Sequence, residues 1–149
     1  MKRSIVLLNN SNERVPQFGD VYLVRFERNG SEQSGLRPAV VFQNNVGNAY
    51  SPNVTVLPMT SRIKKSNQPT HVVIPADGTG LLRDSMVLCE NPVCISKEKL
   101  GSYLVTLSSE YMAQIAEANM LASSAIAYIN PELLIEIWKM AAKLNAART

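Results

Sequence analysis

The segment from Gly19 to Thr60 constrains the fold most. It reads GDVYLVRFERNGSEQSGLRPAVVFQNNVGNAYSPNVTVLPMT. Val21, Leu23 and Arg25 alternate with Tyr22, Val24 and Phe26, the period of two expected of an extended strand. Pro38 to Gln43 is a near-continuous apolar run, as in a strand buried on both faces. Val54 to Leu57 predicts a third strand, in a run that closes at Met59-Thr60-Ser61. His71 to Ile74 predicts a fourth, opening after Gln68-Pro69 and ending at Pro75. Asp84 to Cys89 predicts a fifth. Turn signals separate these runs at Asn29-Gly30, Gly47-Asn48, Ser51-Pro52 and Asp77-Gly78. Short strands joined by regular turns predict a small, strongly curved antiparallel barrel.

The tail changes period. Ser108 or Ser109 can cap a helix, with Glu110 in its first turn favourable to the helix dipole. Met112, Ile115, Asn119, Ala122 and Ile126 follow a three-to-four spacing, widened by Leu121 and Ala125. Asn130-Pro131 then signals a second helix start. Leu133, Leu134, Ile137, Trp138, Met140, Ala141 and Leu144 give that helix a broad apolar face. The expected organisation is one domain over 1–149. It has a polar lead-in over 1–18, a β-barrel body over 19–107, a helix over 108–129 and an extra C-terminal helix over 130–147. The extra helix is expected to pack on the first helix and the barrel, in its own protomer or a partner's.

At 149 residues the chain can bury a core without a disulfide or metal staple. Residues 1–100 hold twelve Lys/Arg against eight Asp/Glu, or +4. Residues 101–149 hold three against four, or −1. The basic front half suits an anionic partner. No stretch reaches the ~20 apolar residues of a membrane span. Ile5-Val6-Leu7-Leu8 is too short for a signal-peptide core, so a cytoplasmic location is expected. Cys89 and Cys94 then read as free thiols. Their spacing has no second pair to complete a zinc site.

A P-loop, a dinucleotide fingerprint, H-E-x-x-H and G-x-S-x-G are all missing. His71 is the only histidine, which excludes His-pair chemistry within one chain. Three polar groups remain. Arg37 opens the second strand and Thr60 closes the third. If these consecutive strands pair antiparallel, both residues reach the same sheet edge. Glu32, in the hinge GSEQSGLRP, hangs over that edge.

The order of these pieces resembles the MazF/PemK toxins, small endoribonucleases of bacterial toxin–antitoxin pairs. The matching residues are Gly19-Asp20-Val21-Tyr22, Gly30-Ser31-Glu32-Gln33, Gly35, Arg37-Pro38 and Pro58-Met59-Thr60. The resemblance covers roughly residues 19–128. It implies an SH3-like β-barrel of the MazF/PemK and CcdB type with a C-terminal helix, assembled as a symmetric homodimer. It implies a ribosome-independent mRNA interferase that cuts single-stranded RNA without a metal or other cofactor. The RNA's 2′-hydroxyl is then the nucleophile, and the products carry a 2′,3′-cyclic phosphate and a 5′-hydroxyl. It also implies an antitoxin partner that occupies the RNA groove.

In that family, the positions matching Arg37 and Thr60 are the catalytic pair. A planar guanidinium can donate two parallel hydrogen bonds to a five-coordinate phosphorane. It is a poor proton donor, because it stays charged. A threonine hydroxyl can hold a phosphate oxygen or the 2′-hydroxyl, but it is not an obvious base. Glu32 is assigned as base or RNA-positioning residue. RNA contacts are expected from the hinge, through Ser31, Gln33 and Gly35. They are also expected from the loop after Thr60, through Ser61, Arg62, Lys64 and Lys65. Tyr50 and Phe26 are candidate base stackers.

The sequence departs from the family pattern at Phe26-Glu27-Arg28-Asn29, Asn45, Ser51-Pro52-Asn53 and Glu90-Asn91. Cut-site preference therefore does not carry over. The alternatives are a CcdB-like toxin that binds DNA gyrase without chemistry, and an inactive SH3-like binding module. The paired Arg and Thr favour the nuclease.

Overall fold

The computed structural model describes residues 14–26, 35–63 and 68–146. Seven strands among them form one antiparallel sheet: β1 (Asp20–Phe26), β2 (Gly35–Val41), β3 (Asn53–Thr60), β4 (His71–Ile74), β5 (Ser85–Leu88), β6 (Val93–Ser96) and β7 (Leu100–Thr106). Three α-helices accompany it: α1 (Asn45–Tyr50), α2 (Ser109–Ala122) and α3 (Leu134–Ala146). The sheet order is β4-β5-β3-β2-β1-β7, with β6 also paired to β3. No described helix is long and apolar enough to cross a membrane.

Strand β3 shares one of its edges between two partners. Asn53 to Val56 pair with β6, while Met59 and Thr60 pair with Val87 and Met86 of β5. The other edge carries β2. The sheet is not closed: among the described residues β4 and β7 end its path and β6 pairs only with β3. A short 3₁₀ turn, Lys97–Lys99, links β6 directly to β7. Ser96 starts that turn by accepting a hydrogen bond from the Glu98 N–H.

The apolar runs lie where both sheet faces are covered. Tyr22, Val24, Ala39, Val41, Val54, Val56 and Leu100 are buried together on one side. Val21, Val40, Leu57 and Met59 point the other way, onto Val72, Ile74 and Val87 and onto Met112, Ile115 and Ala118 of α2. Alternation assigns the residues of β1–β3 to these two cores. Full burial of Leu57 or Met59 contributes about 1.5–3 kcal/mol each.

Strands β6 and β7 were not among the five strands read from the sequence. Gly101 and Ser102 interrupt the apolar pattern of β7. The glycine is a packing requirement: a Cβ there would lie 2.9 Å from the Leu23 carbonyl oxygen. The turn expected around Gly47 is instead part of the short helix α1. Asn44 caps it, its side chain accepting from the Gly47 N–H at 2.9 Å. The end of the expected lead-in is tied down. Arg14 grips the fully buried Asp20 carboxylate with two 3.0 Å hydrogen bonds and stacks 4.1 Å over the Tyr103 ring.

The tail differs most from expectation. Helix α2 stops at Ala122, and a 3₁₀ segment, Ser124–Tyr128, follows. Asn130 caps the next turn by accepting from the Glu132 N–H at 2.9 Å, as its pairing with Pro131 predicts. Within its own protomer, α3 does not pack its apolar face on α2 and the sheet. Every residue from Pro131 to Lys143 is exposed. The helix is held by its far end: the Asn45 N–H and side-chain amide donate to the Asn145 side-chain and backbone oxygens, both at 3.1 Å. Within the chain, polar bonds to α1 fix the helix.

Candidate functional site

Three ladder pairs join β2 and β3: Val41 with Val56, Val40 with Leu57 and Ala39 with Pro58. Two further steps in the same register set Arg37 opposite Thr60. The strand ends predicted to converge do converge, and a side-chain bond ties them. Arg37 Nη2 donates to the Met59 carbonyl oxygen at 3.2 Å. Thr60 Oγ1 accepts from the Arg62 N–H at 3.1 Å. That contact occupies an oxygen lone pair and leaves the hydroxyl proton available to a ligand.

Both residues line one cleft of about 330 Å³. Ser61 and Arg62 continue its wall beyond Thr60, and Leu23, Leu36, Pro38 and Met59 supply apolar lining. Arg83 and Leu82, from the loop that enters β5, line it too. Sequence reasoning missed Arg83. The signal was indirect: Thr60 pairs with Met86, which draws the residues just before β5 to the end of β3. Three arginines, Arg37, Arg62 and Arg83, thus share one cleft with a threonine hydroxyl. Clustered guanidinium groups beside hydroxyl and backbone donors suit an anion such as a phosphodiester.

Gly35 begins β2 opposite Phe26, in a left-handed conformation at φ +105° that favours glycine. It is not part of the cleft lining. Ser31, Glu32, Gln33, Lys64 and Lys65 lie outside the described residues. The two proposed stackers do not line the cleft. Phe26 packs against the core that holds Tyr22 and Val24, and Tyr50 is exposed at the end of α1. His71 faces Glu90, its Nε2 3.1 Å from Oε2, as part of the β4 edge. Cys89 and Cys94 are free, one buried and one exposed. Burial pushes the Cys89 thiol up to about 12, with the Glu90 charge adding to the effect.

Residues 17–122 match the family described as PemK-like, MazF-like toxin of type II toxin-antitoxin system. Endoribonuclease EndoA of Bacillus subtilis (strain 168) is 39% identical over 109 residues, which are 72% of this chain and 94% of that protein. A solved endoribonuclease in complex with its cognate antitoxin, from a mycobacterial species, superposes with a TM-score of 0.59 at 25% identity. That likeness covers 72% of this chain and 93% of the other. MazF from Deinococcus radiodurans shares the fold, with a TM-score of 0.62 at 23% identity over 78% of this chain and 99% of the other. The chain belongs to the PemK-like, MazF-like toxin family of type II toxin–antitoxin systems.

Proposed function

We propose that this toxin is an endoribonuclease that cuts single-stranded RNA without a metal ion. The observation that carries the reading is the placement of Arg37 and Thr60 at adjacent strand ends on the wall of one cleft. The relative named an endoribonuclease, 39% identical over nearly its whole length, supports the reaction class.

In this reading the 2′-hydroxyl of the RNA attacks the adjacent phosphorus. The P–O2′ bond forms and the P–O5′ bond breaks. The products are a 2′,3′-cyclic phosphate and a 5′-hydroxyl. Arg37 pairs with the equatorial phosphoryl oxygens as their charge grows, the moment at which a fixed donor contributes most. Thr60 Oγ1 accepts from the Arg62 N–H and keeps its own proton to donate to phosphate. The proton leaving the 2′-hydroxyl goes to Glu32 or to solvent, and the departing 5′-oxygen takes a proton from solvent. Ser31, Gln33 and Gly35 of the hinge, with Ser61, Arg62, Lys64 and Lys65, are proposed to hold the strand.

The proposed assembly is a cytoplasmic homodimer with a cognate antitoxin over the RNA groove. The mycobacterial endoribonuclease solved with its antitoxin supports that second partner. The sheet is read as an SH3-like barrel closed by covalent chain. Its ring runs from β3 through β2, β1 and β7, then back through the Lys97–Lys99 turn and β6. The test is incubation with a long single-stranded RNA in excess EDTA, followed by analysis of the fragment ends. Cyclic-phosphate and 5′-hydroxyl ends are expected. A strict magnesium requirement, or 5′-phosphate ends, would overturn the mechanism.

A further inference from the structure

The cleft offers more than a phosphate needs. Its volume of about 330 Å³ falls at the low end of the roughly 300–1,000 Å³ of small-molecule pockets. Arg37, Arg62, Arg83 and Thr60 suit an anion, but the apolar wall does not: Leu23, Leu36, Pro38 and Leu82 have nothing to donate to a charged oxygen. Among the described residues no aromatic ring lines that wall.

Leu82 stands out on it. This side chain is 97% exposed, whereas that of Leu81 is buried and packs into the core. The loop between β4 and β5 fixes the division. The Ala76 N–H donates to Asp84 Oδ1 at 2.8 Å, and the Thr79 hydroxyl donates to the Pro75 carbonyl oxygen at 2.6 Å. A Cβ on Gly80 would lie 2.9 Å from Val105 Cγ1, so the loop sits hard against β7. Leu81 takes the inward position of this braced loop, and Leu82 is left on the cleft wall next to Arg83 in the chain. Leu36, 49% exposed, adds apolar surface from the strand that carries Arg37.

We infer that Leu82 is the platform for one nucleobase of the bound strand, whose phosphates the arginines hold. The inference rests on single-stranded RNA being the substrate, as proposed above. A nucleotide joins an anionic group to a flat face, and a single strand can turn a base out of its stack to meet such a wall. Aliphatic side chains offer no donor or acceptor to a base edge. The subsite therefore adds affinity for any base rather than sequence preference.

The test uses short RNA oligonucleotides that span a cut mapped on long RNA. A 2′-deoxynucleotide at the cut lets binding be read without cleavage. Each nucleotide in turn is replaced by an abasic one, and fluorescence anisotropy gives the affinity. Circular dichroism checks the fold of each variant. Leu82→Ser should weaken binding about fivefold, the low end for one stacked base, and Leu82→Met should bind like the parent chain. One abasic position should weaken binding to the parent by a similar factor and make no difference to Leu82→Ser. The salt dependence of Leu82→Ser should stay that of the parent, because no phosphate contact is lost. Equal affinity of Leu82→Ser and the parent would overturn the subsite, as would abasic losses that are the same in both at every position. Either result leaves the reaction standing where the parent cuts RNA. A parent chain that neither binds nor cuts RNA would overturn the reaction and the subsite together.

Discussion

Arg37 reaches across to the residue before Thr60: its Nη2 donates to the Met59 carbonyl oxygen at 3.2 Å. One N–H thereby sets the plane of the guanidinium, which carries five in all. Removing the side chain deletes both this brace and the proposed phosphate contact. Arg37→Ala and Thr60→Ala should each lower RNA cleavage by at least ~100-fold, the usual loss for one transition-state donor. Thermal melts should show both variants folded. Arg37→Lys should stay impaired, because an ammonium cannot hold a planar, two-pronged contact. Full activity in a folded Arg37→Ala protein would remove Arg37 from the chemistry.

Arg62 and Arg83 enter the cleft from opposite sequence neighbours, one after β3 and one before β5. If each neutralises a phosphate, replacement by Ala should weaken RNA binding across many sequences. It should also flatten the plot of log affinity against log salt by about 0.7 per lost contact. Fluorescence anisotropy with a labelled single strand gives both readouts. An unchanged slope would return that arginine to the solvated surface.

The two thiols should behave differently. Cys94 is exposed and Cys89 is fully buried. A thiol reagent at pH 8 should label Cys94 in the native protein, and Cys89 only after denaturant is added. Mass spectrometry of the labelled peptides would check this. Rapid native labelling of Cys89 would contradict its burial.

Alkali should unfold this protein by linkage. Burial pushes the Cys89 thiol from an ordinary 9.0 up to about 12. Burial, with Asp20 adding to it, pushes the Tyr22 phenol from 10.0 up to about 12. Both groups stay neutral in the folded chain while the unfolded chain ionises. Their contribution is fully present below pH 9 and is lost as pH rises toward 12. Urea midpoints across pH 8–12 should fall in that window, and Cys89→Ala should flatten the fall once its own cavity cost is subtracted.

Asn145 binds α1 from 100 residues away along the chain, its side-chain oxygen accepting from the Asn45 N–H. Asn145→Ala should cost about 1 kcal/mol of stability, the scale of one lost hydrogen bond. Cleavage should be unchanged, because neither residue lines the cleft. A large activity loss at unchanged stability would show that α3 is coupled to the site.

Local pattern determined much of this molecule. Alternation located β1, and short apolar runs between turn signals located β2 to β5, because side chains in a strand divide between its two faces and buried strands need apolar residues on both. The antiparallel logic of consecutive strands brought Arg37 and Thr60 to one edge, because pairing inverts the order of residues along neighbours. Sequence order also carried the family, through the Gly19–Tyr22, Arg37-Pro38 and Pro58–Thr60 stretches. What it could not determine were contacts that depend on distant chain. Arg83 joins the cleft only because β5 pairs with the end of β3. The helix α1 replaces an expected turn, and Asn145 binds its first residue. Strand β7 survives Gly101 because β1 passes too close for a Cβ. In each case the deciding energy comes from a neighbour remote in sequence, and a local pattern does not encode it.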